Sequence, residues 1–224
     1  INKHTKKKRF NIERVHYMKP SKDGESLFVT TNSGRIYRVD NLLTTQFDTI
    51  SLPTNNQIAA NLTTTEISQG MGLSSSRTVT SIAIDPENPN RMVATAGNYG
   101  NTNYVYISEN AMDASPTWTS IQGNLPRFPV YHALISIKNP DVIILGTEFG
   151  IWATNNGRSA NPTWAEAADG IDSDMPFPKV PVFDLVQVES NSSTGPRIYA
   201  GTHGMGIWET KSMLTSVRPN NNNP

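Results

Sequence analysis

The sequence predicts an all-β chain built as a β-propeller of four-stranded blades, with about four blades present. Three observations predict it. Short apolar runs recur along the chain, each closed by Gly, Pro or Asn, and no stretch repeats Leu, Ala, Glu and Lys at a helical period. One phrase returns at a fixed offset: Tyr106 and Trp152, Ser108 and Thr154, Asn110 and Asn156, Pro116 and Pro162, Thr117 and Thr163, and Trp118 and Trp164 are each 46 residues apart. Gly-Ile-Trp occurs at 150–152 and again at 206–208, each time with Gly-Thr upstream, at 146–147 and 201–202, and Gly34-Arg-Ile-Tyr37 is a weaker echo. A lone four-stranded twisted sheet cannot bury both its faces, so units of this period are expected to stack radially and cover one another.

Taken in order, residues 1–10 form a basic N-terminal segment around Lys6-Lys7-Lys8-Arg9, read as a solvated end or an edge segment. The first blade, 11–52, has strands at Ile12–Met18, Ser26–Thr31 and Arg35–Asp40. Turns at Lys19–Gly24 and Asn32-Ser33-Gly34 separate them, and Phe47–Leu52 is the expected fourth strand. Residues 53–78 break the rhythm and are read as a polar insertion loop with a short strand at Thr64–Ile67. Loops of that length in a compact domain are more often functional. The second blade, 79–128, has strands at Val79–Ile84, Arg91–Ala96, Asn103–Ser108 and Thr117–Ile121. The third blade, 130–179, starts at Val130, and its apolar run Val142–Leu145 suits a strand covered on both faces. The fourth blade, 182–213, has strands at Val182–Val188, Arg197–Gly201 and Gly206–Thr210 and no clear fourth strand. Residues 214–224 read as an Asn/Pro-rich linker. The start at Ile1 and the Asn-rich end lead us to expect a piece of a longer chain that continues into further blades or domains, as part of a larger propeller.

Composition removes several functions. The 19 basic and 19 acidic residues cancel, so no long-range field favours nucleic acid. No run approaches the roughly 20 apolar residues of a membrane helix, and no membrane insertion is expected. The chain has no Cys, which excludes disulfides, thiolate metal sites and Cys nucleophiles. Its four histidines (His4, His16, His132 and His203) show no metal-ligand spacing. There is neither a phosphate loop nor a nucleophile elbow. No metal and no cofactor are expected.

In a propeller the innermost strand of each blade lines the central channel. Aligning those strands on Val79, Val130 and Val182 puts Ser81, His132 and Asp184 in equivalent places. Glu148 and His203 fall in the turns after the two Gly-Thr pairs and would rim one face, so these five residues form the expected channel mouth. The plain reading makes each a hydrated channel residue. The sharper reading makes Asp184, Glu148 and His132 the candidate catalytic groups: a His and an Asp do acid–base work if they meet, and a glycosidase needs two carboxylates about 5–10 Å apart.

The loops Ser108–Trp118 and Thr154–Trp164 resemble the Asp-box, or BNR repeat, whose pattern is Ser-x-Asp-x-Gly-x-Thr-Trp between the third and fourth strands of a blade. The matching positions are Ser108, Asn110, Thr117 and Trp118, then Thr154, Asn156, Thr163 and Trp164. Asn replaces the motif's Asp in both, and each loop is three residues longer than the motif. The turn Asp85–Asn90 and the strand after it are similar to blades of xyloglucanase-type and sortilin-type propellers, and the resemblance covers roughly residues 11–210. It implies peripheral, structural roles for the box residues. For the whole it implies a non-catalytic recognition or scaffold module that binds a protein partner or a glycan, or else a xyloglucanase-type glycoside hydrolase acting on a polysaccharide. A sialidase needs an arginine cluster, and Arg14, Arg91 and Arg197 do not correspond in position. Asn61-Leu-Thr63 and Asn191-Ser-Ser193 match the N-glycosylation pattern. Asp48-Thr49-Ile50 resembles the acceptor of bacterial surface O-glycosylation, and with the Asn/Pro tail it implies a secreted or cell-surface bacterial protein of the type IX secretion class. Exposed aromatic residues on one channel face would favour glycan handling, and a channel without paired carboxylates would favour a scaffold.

Overall fold

The computed structural model describes residues 13–44, 62–167, 177–189 and 196–210. Among them are fifteen strands and no helix. The first sheet holds β1 (Val15–Pro20), β2 (Ser26–Thr31), β3 (Ile36–Asp40) and β4 (Thr63–Glu66). The second holds β5 (Val79–Ile84), β6 (Met92–Ala96), β7 (Val105–Ser108) and β8 (Thr119–Ser120). The third holds β9 (Val130–Ile135), β10 (Ile143–Thr147), β11 (Gly150–Thr154) and β12 (Ala165–Glu166). The fourth holds β13 (Val182–Val188), β14 (Arg197–Thr202) and β15 (Ile207–Thr210). Within every sheet the strands pair antiparallel in chain order, and successive innermost strands β1, β5, β9 and β13 pack side by side. This is a β-propeller arrangement of four blades, three with four strands and one with three.

One place differs from the expected assignment. The fourth position of the first sheet is taken by Thr63–Glu66, which pairs with Tyr37–Asp40. Its apolar neighbour Ile67 is fully buried and anchors the strand against the second blade. The segment Phe47–Leu52 lies outside the described residues, as do the basic segment 1–10, the glycosylation-pattern residues Asn61 and Asn191, and the linker 214–224.

Apolar clusters fill the three spaces between consecutive blades. Phe28, Ile36 and Ile67 meet Val79, Met92 and Trp118. Val93, Val105 and Ile121 meet Val130, Leu145 and Trp164. Ile144 and Ile151 meet Val182, Leu185 and Ile198. Each Thr-Trp tryptophan also crosses its interface with its ring N–H: Trp118 Nε1 donates to the Ile67 carbonyl at 2.6 Å, and Trp164 Nε1 donates to the Ile121 carbonyl at 2.9 Å. A buried aromatic with its one donor satisfied is the stable way to seal such a gap. Buried arginines do the same work with charge. Arg38 reaches the carbonyls of Ala111 and Asp113, and Arg91 reaches those of Pro140 and Gly157. Where β10 meets β13 the backbones come so close that a Cβ on Gly146 would lie 2.7 Å from the Val182 carbonyl oxygen, so only Gly fits.

Candidate functional site

All four innermost strands carry the same irregularity. Pairing slips between Val15 and Tyr17, Val79 and Ser81, Val130 and His132, and Val182 and Asp184, leaving His16, Thr80, Tyr131 and Phe183 as the extra residues. A bulge of this kind re-aims the side chains around it. It therefore makes two sets of equivalent positions: the extra residue itself, near the end where the innermost strands begin (the upper mouth), and the residue after it, deeper in the channel.

The deeper set is Tyr17, Ser81, His132 and Asp184. His132 and Asp184 do meet: Nδ1 lies 2.7 Å from the carboxylate Oδ1, with the imidazole buried and the carboxylate side chain 62% exposed. The hydrogen bond from His132 holds the Asp184 carboxyl below its ordinary value, helped by the imidazole's charge, the Leu185 N–H and the Lys19 ammonium and opposed by burial. From the opposite side the Tyr17 ring packs edge-on against His132, with centroids 5.2 Å apart. Burial, and then the Asp184 charge, raise the Tyr17 hydroxyl above its ordinary value, so it stays protonated. These groups line a cavity of about 610 Å³ that follows the innermost strands to their far ends, the lower mouth. Ala83, Ile84, Leu134 and Val186 give it apolar walls, and Lys19, Lys22 and Glu189 add charged groups to its lining. Ser81 is placed differently from the expectation of a mouth residue. It is fully buried, its Oγ shares a hydrogen bond with Thr95 and accepts the Ala133 N–H at 2.9 Å, and it ties the second blade to the third. Tyr17 was missed, although Val15 offers the same Val-x-polar spacing as Val79, Val130 and Val182.

At the upper mouth the extra residues Tyr131 and Phe183 stand beside the turn residues Glu148 and His203. Phe183 packs edge-on to Tyr131 at 4.9 Å and to His203 at 5.8 Å. The Tyr131 hydroxyl donates to Glu148 Oε2, and Tyr99, from the loop between β6 and β7, lies near enough for the Glu148 charge to act on its phenol. Burial, then Glu148, raise both phenols above their ordinary values. Tyr99 is 58% exposed and Phe183 50%, so with Tyr131 between them this mouth presents rings from three blades; Phe149, on the same turn as Glu148, packs instead against Phe128. Glu148 and Asp184 are not brought together: Glu148 is held by Tyr131 at the upper mouth, and it does not line the cavity that Asp184 faces.

The two matched loops close with one device. Asn110 Oδ1 accepts the Thr117 N–H at 2.9 Å and the Thr117 hydroxyl at 3.1 Å. Asn156 Oδ1 accepts the Thr163 N–H at 3.0 Å and the Thr154 hydroxyl at 2.6 Å. Both loops sit on the periphery between the third and fourth strands of a blade, away from the channel. Among the described residues no group of three or more His, Asp or Glu is placed to hold a metal ion.

No family model matches the chain, and no match was found among curated proteins. Similarity to solved structures is at the level of fold. The xyloglucanase of family GH74 from Xanthomonas campestris superposes with a TM-score of 0.52 at 16% identity, over 95% of this chain and 31% of that one. The GH74 enzyme of Niastella koreensis superposes with a TM-score of 0.48 at 14% identity, over 89% of this chain and 29% of that one. A chain of the mitotic checkpoint complex gives 0.42 at 17% identity, over 84% of this chain and 58% of that one. The chain thus spans under a third of the length of the two GH74 proteins.

Proposed function

We propose that this chain is a recognition module of a propeller protein and that its upper mouth binds a glycan. The observation that carries the reading is the exposed pair of rings Tyr99 and Phe183, backed by Tyr131 and His203 and set beside the carboxylate of Glu148. Exposed rings drawn together from several blades are not needed for folding, and patches of this kind mark binding sites. Ring faces suit the C–H faces of a pyranose, and a carboxylate fixed by the Tyr131 phenol accepts from sugar hydroxyls without reorganising. The peripheral loops act in this reading as degenerate Asp boxes, with Asn110 and Asn156 filling the acceptor's role, and propeller blades outside this chain extend the module. The sequence features of bacterial surface proteins support a secreted or cell-surface setting.

The hydrolase reading is less well supported. The carboxylates lining the lower cavity, Asp184 on β13 and Glu189 just past its end, are five residues apart. At about 3.3 Å per residue that is roughly 17 Å, beyond the separation glycosidases use. Asp184 is also held ionised by His132, which suits a base and not an acid. A xyloglucanase-type reaction would need a second carboxylate from blades outside this chain.

Calorimetric titration of the chain with xyloglucan oligosaccharides and with cello-oligosaccharides tests the proposal. Saturable binding that Phe183→Ala weakens about tenfold or more is expected. Reducing-end release from xyloglucan that vanishes in Asp184→Asn would replace it with the hydrolase.

A further inference from the structure

The lower cavity is separate from the aromatic mouth, and we infer that it binds a small zwitterion with an apolar side chain: an α-amino acid or a short peptide. Four blades contribute to its wall, and at about 610 Å³ it falls in the usual range of small-molecule sites, roughly 300–1,000 Å³. Its inner end presents the Asp184 carboxylate, oriented by His132 and accessible to solvent, beside the protonated hydroxyl of Tyr17. Two residues along β1, on the same side of the strand, comes Lys19. Lys19 is near enough for its charge to act on Asp184, yet it makes no ion pair within 4.0 Å among the described residues. The two opposite charges thus face one space without neutralising each other.

A ligand carrying one charge would satisfy one of them and be repelled by the other. An ammonium on Asp184 and a carboxylate on Lys19 satisfy both with charge-assisted hydrogen bonds. The ligand's side chain then lies against Ile84, Leu134 and Val186, the last of which is otherwise an exposed valine. A sugar fits this space poorly. The one phenol ring lining it is engaged edge-on with His132, and the facing walls are aliphatic.

Titration of the full chain with L-leucine and with leucyl-leucine, followed by calorimetry or by NMR shifts, tests the inference. Saturable binding is expected, and the tighter of the two probes identifies the source as free amino acid or peptide. Leucinamide and 4-methylpentanoate, each lacking one charge, are expected to bind about tenfold more weakly or worse, and Lys19→Met and Asp184→Asn are expected to weaken leucine or its dipeptide similarly. No saturation by either zwitterion overturns the inference, as does equal binding by the two charge variants, or displacement of the bound probe by cellobiose. Loss of glycan binding at the upper mouth bears on the preceding proposal and leaves this one standing.

Discussion

The interface between the second and third blades and the outer side of the fourth blade are made from the same kinds of residue, used in opposite ways. In the interface Arg91 has no exposed surface. Its Nη1 pairs with Asp85 at 2.9 Å and bonds the Pro140 carbonyl, and its Nη2 bonds the Gly157 carbonyl, so one guanidinium joins two blades. In the fourth blade Arg197 pairs with Glu209 of the same sheet, and both are partly exposed. Trp164 spends its ring N–H on the preceding blade, whereas Trp208 gives its own to Met205 of its own hairpin. Ile207 is 79% exposed on a blade that has three strands among the described residues. Cohesion in this fold comes from having a neighbour on both sides. Where the described residues supply no neighbour, as on the outer side of the fourth blade, the same side chains hold their own sheet together and apolar side chains such as Ile207 are exposed.

Arg91→Ala against Arg197→Ala breaks that comparison most strongly. Removing Arg91 leaves the buried Asp85 carboxylate bonded to the Glu87 and Asn88 N–H groups, with Arg158 Nη2 at 4.0 Å as its nearest remaining cation, so the loss is expected to be about 3–5 kcal/mol. Arg197→Ala is expected to cost under about 1 kcal/mol, the ordinary range for an exposed pair. Urea unfolding of both variants measures this, and equal losses would mean that the fourth blade is as well buttressed as the second. The same contrast is expected, smaller, for the tryptophans. Trp164→Phe strands the buried Ile121 carbonyl and is expected to cost about 1–3 kcal/mol, with Trp208→Phe below about 1 kcal/mol, by the same unfolding curves.

Much of the centre of the molecule was legible in the sequence because the repeat is strictest there. The 46-residue offset marks Trp118 and Trp164, and both seal blade interfaces. The apolar run at Val142–Leu145 is buried on both faces, as its lack of alternation required. The first blade was harder to read. Its fourth strand is Thr-Thr-Thr-Glu, with no apolar alternation, and only the pairing with β3 assigns it. The channel was half legible. Spacing from Val130 and Val182 put His132 and Asp184 at one level, and they touch. It could not show that Ser81 at the same level is absorbed into an interface, because that depends on Thr95 across the sheet and Ala133 on the next blade. The bulge residues Tyr131 and Phe183 escaped notice because a bulge leaves no mark in a short strand's composition, and it takes the ladder register to show that they share a mouth.

The matched loops sharpen the comparison at a smaller scale: their backbone carbonyls accept from the buried arginine of the preceding blade, whereas the Asn110 and Asn156 side chains bond only within their own loops. Asn156→Ala removes one acceptor that serves two donors and is expected to cost about 1 kcal/mol, while Asn156→Asp keeps the acceptor and is expected to be neutral within about 0.5 kcal/mol. Thermal melts of the two variants decide it. If Asp proves as damaging as Ala, the side-chain amide does more than accept.

The smallest expected effect lies where the third blade meets the fourth at the channel. Asp184 titrates below its ordinary value of 3.8 in the folded chain, chiefly because His132 donates to the carboxylate. Folding therefore favours the ionised form. The stability this confers is present in full above the unfolded value and is lost as the pH falls through the lower, folded value. Because the carboxylate is largely exposed, solvent screens the pair, and the amount is expected to be under about 1 kcal/mol. Asp184→Asn should therefore lower the neutral plateau of a stability–pH curve by under about 1 kcal/mol and flatten its acid limb, the two curves converging as the pH falls below the folded value. An acid limb identical to that of the parent would mean that the His132–Asp184 contact is no firmer than a surface pair and does not couple the two blades. A large loss at neutral pH would mean the reverse, that the fourth blade depends on this contact as much as the second and third depend on Arg91.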